Sequence, residues 1–501
     1  MPRTTLALTS FVSGEFSPKM DGRTDFDKYS SGAKTMENFL VHPQGAATRR
    51  VGTQFIAEVK SSAAKTRLIP FEFSTTQTYI LEFGNTYIRF FKDKGQILDS
   101  GSAYEISTPY LTAELFEIKF AQSADVMYIT HPNHEVMKLS RTGHTSWTLA
   151  EVEFTDGPYL ATNSTTTTLT PQQAATGTGK TITASAVTGI NGGAGFQTTD
   201  VGRIISFNSG KAKITARTNT TVVVATITTA FTNTNATAAF NLGAFSNTTG
   251  HPSCVSFFEQ RLVFAGTKDE PQTIFFSAAG DYENMTTGTN AGDAMVYTIA
   301  ANQVNAIRYM KAVRTLVVGT TGGEYTVSAD GTDASITPTN ITIKRQSSYG
   351  SANVDAIPAG NAILFLQKAR RKIRELQYNF DSDGYQAPDL TILNDSATNS
   401  GINEMVYQQE PGSIIWCVRD DGVLAALTYQ RSENVIAWSR HIFGGVFGSG
   451  DAVCESAATI SGDLTEDEVW VIIKRTVNGA TKRYVECFSD FDFDETDPTD
   501  F

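Results

Sequence analysis

Residues 361–391 read NAILFLQKARRKIRELQYNFDSDGYQAPDLT, and residues 414–445 read IIWCVRDDGVLAALTYQRSENVIAWSRHIFGG. Each stretch is a strand–turn–strand unit. Ala362 to Gln367 is an apolar run of strand length, Lys368 to Arg371 is a basic turn, and Lys372 to Phe380 alternates in polarity. In the second stretch Ile414 to Val418 runs into Asp420-Asp421-Gly422, and Val423 to Tyr429 runs back. Asp-Gly between apolar runs marks a hairpin, because a tight turn needs a residue that tolerates positive φ.

The same grammar recurs outward from this stretch. Arg67 to Phe73, Thr78 to Phe83 and Thr86 to Phe91 form strands, with Gly84-Asn85 expected to supply the positive φ of the hairpin. Strand–turn units fall at about 66–98, 114–155, 255–295, 303–345, 353–393, 402–445 and 452–488. A spacing of about 40–50 residues suits four-stranded propeller blades. The reading is all-β: a β-propeller-like ring of six or seven four-stranded blades, with an N-terminal arm and an inserted small β-domain. Its divisions are an extended arm over 1–53, blades over 54–160, the insert over 161–250, further blades over 251–488 and an acidic tail over 489–501.

The arm is rich in Gly and Pro, and its one expected helix spans about Phe26 to Asn38. The insert holds 25 threonines and six charged residues, with no Trp or Tyr. Its β-branched runs favour an ordered β-module over a disordered linker. The tail, SDFDFDETDPTDF, carries six carboxylates and reads as solvated, with docking as the alternative.

Composition narrows the function classes. A net charge of −12 opposes a protein that grips nucleic acid with a basic face, though like charge would let DNA slide past. No apolar run reaches the roughly 18 residues of a membrane-spanning helix, and the N-terminus has no secretory pattern. Cys254, Cys417, Cys454 and Cys487 lie far apart with no CxxC, as in a reduced protein with buried thiols.

Two sets of positions carry a family resemblance. One is Gly14-Glu15, Ser17-Pro18, Gly22-Arg23, Asp25, Tyr29, Gly32, Asn38, Pro43-Gln44-Gly45, Arg49-Arg50 and Gly52-Thr53. The other is Phe365, Arg371, Arg374-Glu375-Leu376, Tyr378, Asp383-Gly384-Tyr385, Asp389-Leu390-Thr391, Trp416, Arg419, Asp421-Gly422, Ala437-Trp438-Ser439 and His441. Together they resemble the tail-tube, nozzle or hub proteins of short-tailed bacteriophages. The insert's Asp200-Val201-Gly202-Arg203 is similar to small β-modules in such proteins. The chain departs from larger nozzle proteins, which carry additional domains.

The resemblance implies a non-enzymatic virion protein without cofactors, assembled in the host cytoplasm and located in the phage tail. It implies a ring, of hexameric order, below the portal and adaptor, with tail fibre or tip proteins docking and double-stranded DNA passing through during ejection. Arg23, Asp25, Tyr29, Arg49, Arg50, Arg371, Arg374, Glu375, Tyr378, Asp383, Tyr385, Asp389, Trp416, Asp421 and Trp438 are then expected at subunit interfaces or in structural roles. The arm is expected to reach a neighbouring subunit. The alternatives are a propeller that binds a receptor or glycan, or degrades a polysaccharide, and a generic propeller scaffold for protein partners.

Other chemistry reads as absent. Gly177-Thr178-Gly179-Lys180-Thr181 resembles a P-loop, but Ala174 stands where the motif needs glycine and a strand pattern follows. His131, His134 and His144 suggest a metal site, yet no Cys or carboxylate lies at a usual ligand spacing, so they read as satisfied surface histidines. No carboxylate pair stands out as glycosidic. Trp147, Trp416, Trp438 and Trp470 read as core packing rather than a sugar platform. The basic cluster Lys368, Arg370, Arg371, Lys372 and Arg374 is expected to pair with acidic faces of neighbouring subunits, with DNA contact as the runner-up.

Overall fold

Strands that are apolar without alternation need cover on both faces, and radially stacked sheets supply it. Ala362–Leu366 and Leu316–Thr320 are buried along their whole length, as is Ile414–Arg419. The computed structural model describes residues 8–331, 334–462 and 466–490. Among them there is no α-helix, only strands and short 3-10 turns.

The expected blades are present and number seven. Blade 1 comprises Arg67–Ser74, Gln77–Gly84, Tyr87–Lys92 and Glu105–Ser107. Blade 2 follows as Lys119–Ser123, Val126–His131, His134–Gly143 and Ser146–Glu151. Blade 3 begins at Cys254–Phe258 and ends at Met295–Thr298, and blade 4 runs from Ile307–Ala312 to Thr342–Ser347. Blade 5 is Ile357–Ala359, Ala362–Leu366, Ile373–Asn379 and Gly384–Gln386. Blade 6 is Ile402–Gln408, Ile414–Arg419, Leu424–Gln430 and Val435–His441. Within each of these six blades, strands pair antiparallel in sequence order.

Blade 7 draws on both ends of the described chain. Gly450–Ser461, Asp467–Val477 and Ala480–Phe488 supply three strands, and Thr53–Glu58 pairs antiparallel with the last of them as the fourth. The register sets Phe488 against Thr53 and Tyr484 against Glu58. Lys482 Nζ lies 2.9 Å from Glu58, and Thr53 Oγ1 donates to Glu486 at 2.7 Å. This closes the ring.

The core is distributed between blades. Phe71, Tyr79, Phe90 and Trp147 pack blade 1 on blade 2, and Ile80, Phe91, Trp470 and Val485 pack blade 7 on blade 1. Comparable clusters lie at every other blade junction. All four tryptophans are buried.

The insert is a separate six-stranded sheet with its own core of Ile182, Ile205, Val223, Phe231 and Phe240. Its DVGR signature is a local knot. The buried Arg203 donates to Asp200 at 2.9 Å, Asn191 at 2.7 Å and Gly243 O at 2.8 Å. The P-loop-like residues 177–181 lie on the strand Gly177–Ala184.

Three local expectations need correction. The helix over Phe26–Asn38 is a single 3-10 turn, Asp27–Ser31, because Gly32–Ala33 is extended and pairs with Gly14–Glu15. At the blade 1 hairpin the positive φ falls on Thr86 (63°), while Gly84 stays in the strand. The arm does not project away. It folds back on blade 6, where Gly14 pairs in parallel with Trp438. A β-carbon at Gly14 would lie 2.4 Å from Trp438 N, and φ there is +65°, so only glycine fits.

Candidate functional site

Three places gather chemistry: the propeller axis, the outer edge of blade 5, and the junction of blades 1 and 2.

The axis is lined by innermost strands and encloses about 360 Å³. Arg67 Nε lies 2.9 Å from Glu404 Oε1, and Arg67 Nη1 also donates to the carbonyls of Leu115 and Ile118 at 2.9 and 2.7 Å. Ser456 Oγ and Ala457 N–H donate to Glu404 Oε2 at 2.7 and 3.0 Å. Blades 1, 6 and 7 therefore meet on one carboxylate. Asp355 sits 3.4 Å from both Lys119 and Lys311. Burial would raise its carboxyl, but Lys311, Lys119 and Arg67 hold it down to about 2. Three cations thus meet two carboxylates in a network that ties the blades together at the axis like a plug.

The blade 5 edge holds most of the motif residues read from 361–391. The buried Arg374 donates to Ala387 O at 2.7 Å and to Gln367 at 2.9 Å, and its guanidinium lies 3.4 Å from the Tyr349 ring centre. Glu375, also buried, ion-pairs with Arg431 of blade 6 at 3.3 Å. Beyond them the strand turns to the surface. Tyr378 donates to Asp383 at 2.7 Å and meets Tyr385 edge-on at 5.7 Å. Phe380 is 86% exposed and Tyr378 47%. A cavity of about 290 Å³ lies beside them, bounded by Glu375, Gln377, Gln386, Pro388 and Arg431. An aromatic tip over a buried Arg–Glu framework has the composition of a protein contact.

The remaining motif residues are placed as follows. Trp416 and Trp438 are buried and donate to Gln408 Oε1 (3.0 Å) and Leu390 O (2.9 Å). Asp421 pairs with Arg419, and Asp389 with Lys372 at 2.8 Å. Arg371 is exposed, and its carbonyl accepts from Thr398. Arg50 packs over Phe443 and Phe488. Arg49 is exposed on the strand Ala47–Arg49. Arg23 and Asp25 form an exposed pair, and Tyr29 stacks on Phe16. Two members of the basic cluster find acidic partners within the chain: Lys372 takes Asp389 and Arg370 takes Asp420, the latter at 2.7 Å. The arm is likewise tied internally. Glu15 is buried and accepts from Arg440 Nε at 2.8 Å and from Met36 N–H at 2.7 Å.

The histidine reading also changes. His144 lies apart, 2.8 Å from Tyr79 OH. His131 and His134 come together, with ring centres 5.0 Å apart, and Glu114 joins them from the connection after blade 1. Burial and the neighbouring His134 push the His131 imidazole down to about 4. Sequence spacing concealed the carboxylate because it arrives from the connection between blades 1 and 2 rather than from the histidine hairpin.

No family model and no curated protein matches this chain. Among solved structures it is similar to the β-propeller domain of Cps50 (Swd1) from Myceliophteria thermophila, at 8% identity and a TM-score of 0.41 over 87% of this chain and 100% of that one. The WD40 repeats of RRP9 give 7% and 0.40 over 88% and 99%. The C-terminal WD40 domain of Sif2 gives 8% and 0.35 over 88% and 100%. At these scores the likeness carries no argument about role, and the architecture rests on the sheets themselves.

The expectation of a DNA-conducting tail nozzle is corrected here. The solved structures named above are β-propeller and WD40 domains, and a propeller alone does not support that role. The arm, whose reach to a neighbour favoured it, is bound to its own blade. Among the described residues no helix is long and apolar enough to cross a membrane.

Proposed function

We propose that this chain is a non-catalytic propeller scaffold that assembles with copies of itself through the outer edge of blade 5. The observation that carries this reading is the aromatic tip there. Tyr378 on the strand and Phe380 in the turn that follows it expose large apolar area beside a cavity lined by Glu375 and Arg431. Burying a phenylalanine side chain stabilises an interface by about 1.5–3 kcal/mol. The framework beneath is ordered by Arg374 and Glu375, so little conformational freedom is lost on contact. Self-assembly is also what the sequence resemblance of 361–447 implies. Sedimentation velocity over a range of concentrations tests the reading. A mass above the monomer that falls to the monomer in Tyr378→Ser/Phe380→Ser is the expected result. A monomer at every concentration, or an assembly unaffected by the double substitution, overturns it.

A further inference from the structure

We propose that Glu114, His131 and His134 form a binding site for one divalent borderline metal ion of the zinc class, which clamps the blade 1–blade 2 connection to the hairpin of blade 2. A ring nitrogen from each histidine and an oxygen of Glu114 all lie within 4.8 Å of one another. His134 Nε2 is 3.0 Å from Glu114 Oε2. Two imidazoles and a carboxylate are a donor set that zinc accepts, usually with a fourth oxygen. Glu117 is placed to give it: its Oε2 is 3.7 Å from His131 Nε2, and its half-exposed side chain is free to adjust.

A second observation points to a ligand independently. His131 is fully buried, and its Nε2 has no hydrogen-bond partner. The buried Tyr110 hydroxyl, whose ring packs edge-on against His134 at 5.2 Å, also lacks one. Buried polar atoms are nearly always satisfied, so two orphans around one histidine pair, the Tyr110 and His131 ring centres being 6.0 Å apart, call for a cause. Asn133 N–H donates to His131 Nδ1 at 3.2 Å, which sets the proton of the neutral ring on Nε2. Metal binding at Nε2 shifts that proton to Nδ1 and gives up the long Asn133 contact. Glu114 is already oriented by the Leu111 N–H at 2.8 Å, as carboxylate ligands commonly are.

The geometry gives the metal a structural task. Glu114 opens the 3-10 turn Leu115–Glu117, whose Leu115 carbonyl receives Arg67 from the axis. His131 ends one blade 2 strand and His134 begins the next. One ion would thus fix the entry to blade 2 against its central hairpin.

The test uses the full chain, stripped with chelator and titrated with zinc chloride by calorimetry and native mass spectrometry. One zinc per chain is expected, with a rise in thermal midpoint. His131 is buried and its removal risks misfolding, so the informative variants are His134→Gln and Glu114→Gln. Each should weaken binding by at least the roughly 10–100-fold that loss of an outer-shell partner costs and abolish the thermal shift. Cobalt loading should give the intense visible bands of a low-symmetry tetrahedral site in the parent protein alone. Absence of stoichiometric binding, variants that bind like the parent, or a cobalt spectrum of the hydrated ion would overturn the proposal.

Discussion

Replacing Glu404 by alanine tests the axial plug directly. Glu404 is 7% and Arg67 12% exposed at the side chain, so solvent screens the pair little. Truncation strands the Arg67 charge with two carbonyls and removes the acceptor of Ser456 Oγ and Ala457 N–H. Breaking one side of a buried pair costs about 3–5 kcal/mol. The expected loss therefore lies near 4 kcal/mol, with the lost Ser456 bond inside that figure. Arg67→Met with Glu404→Leu removes both charges, and its loss should fall well below the sum of the single losses, with a coupling of at least about 2 kcal/mol. Urea unfolding followed by tryptophan fluorescence reads this out, since all four tryptophans are buried. A Glu404→Ala loss under about 1 kcal/mol, or strictly additive substitutions, would refute the plug as a cohesive element.

Three further outcomes follow from the geometry. Gly14→Ala should release the arm from blade 6 and expose residues 8–50 to limited proteolysis while leaving the propeller intact; an arm as protected as in the parent would contradict the fit at Trp438. Burial raises the Glu82 carboxyl from 4.5 to about 7, against the pull of Tyr87 and Arg89. The folded chain then holds a proton that the unfolded chain has released, so this contribution is complete below pH 4.5 and is lost as pH rises through 7. Its size is on the order of 3 kcal/mol, and Glu82→Gln should flatten the slope of urea stability against pH between those limits. Asp200→Ala leaves Arg203 charged inside the insert and should unfold that sheet at a lower temperature than the propeller, seen as a separate calorimetric transition.

Much of the architecture was legible because propeller strands carry strong local signals. Ile414–Arg419 and Leu424–Gln430 read as a hairpin from Asp421-Gly422 alone, and Gly422 adopts φ +85° as that turn requires. The ring closure was not legible. Thr53–Glu58 is an outermost strand with Gln54 and Phe55 exposed, so its pattern is weak, and its partner lies at the other end of the sequence. The axial network was hidden for a related reason. Arg67, Lys119 and Glu404 are ordinary charged residues in three different blades, Asp355 lies in the connection before blade 5, and only the ring brings them together. The arm illustrates a different limit. Its glycines signalled special backbone, but the same signal serves a segment that reaches outward and one that folds back on Trp438.

The strand order of blade 7 sets a timetable for the ribosome. Thr53–Glu58 leaves the ribosome long before the strand it pairs with, Ala480–Phe488. Through most of synthesis the early strand has no mate and presents an open row of amide and carbonyl groups. Blades 1 to 6 can each form their hairpins as they appear, yet the circle waits for Ala480–Phe488. A messenger truncated before residue 480 would therefore yield an open crescent with two adhesive ends instead of a smaller version of the same ring.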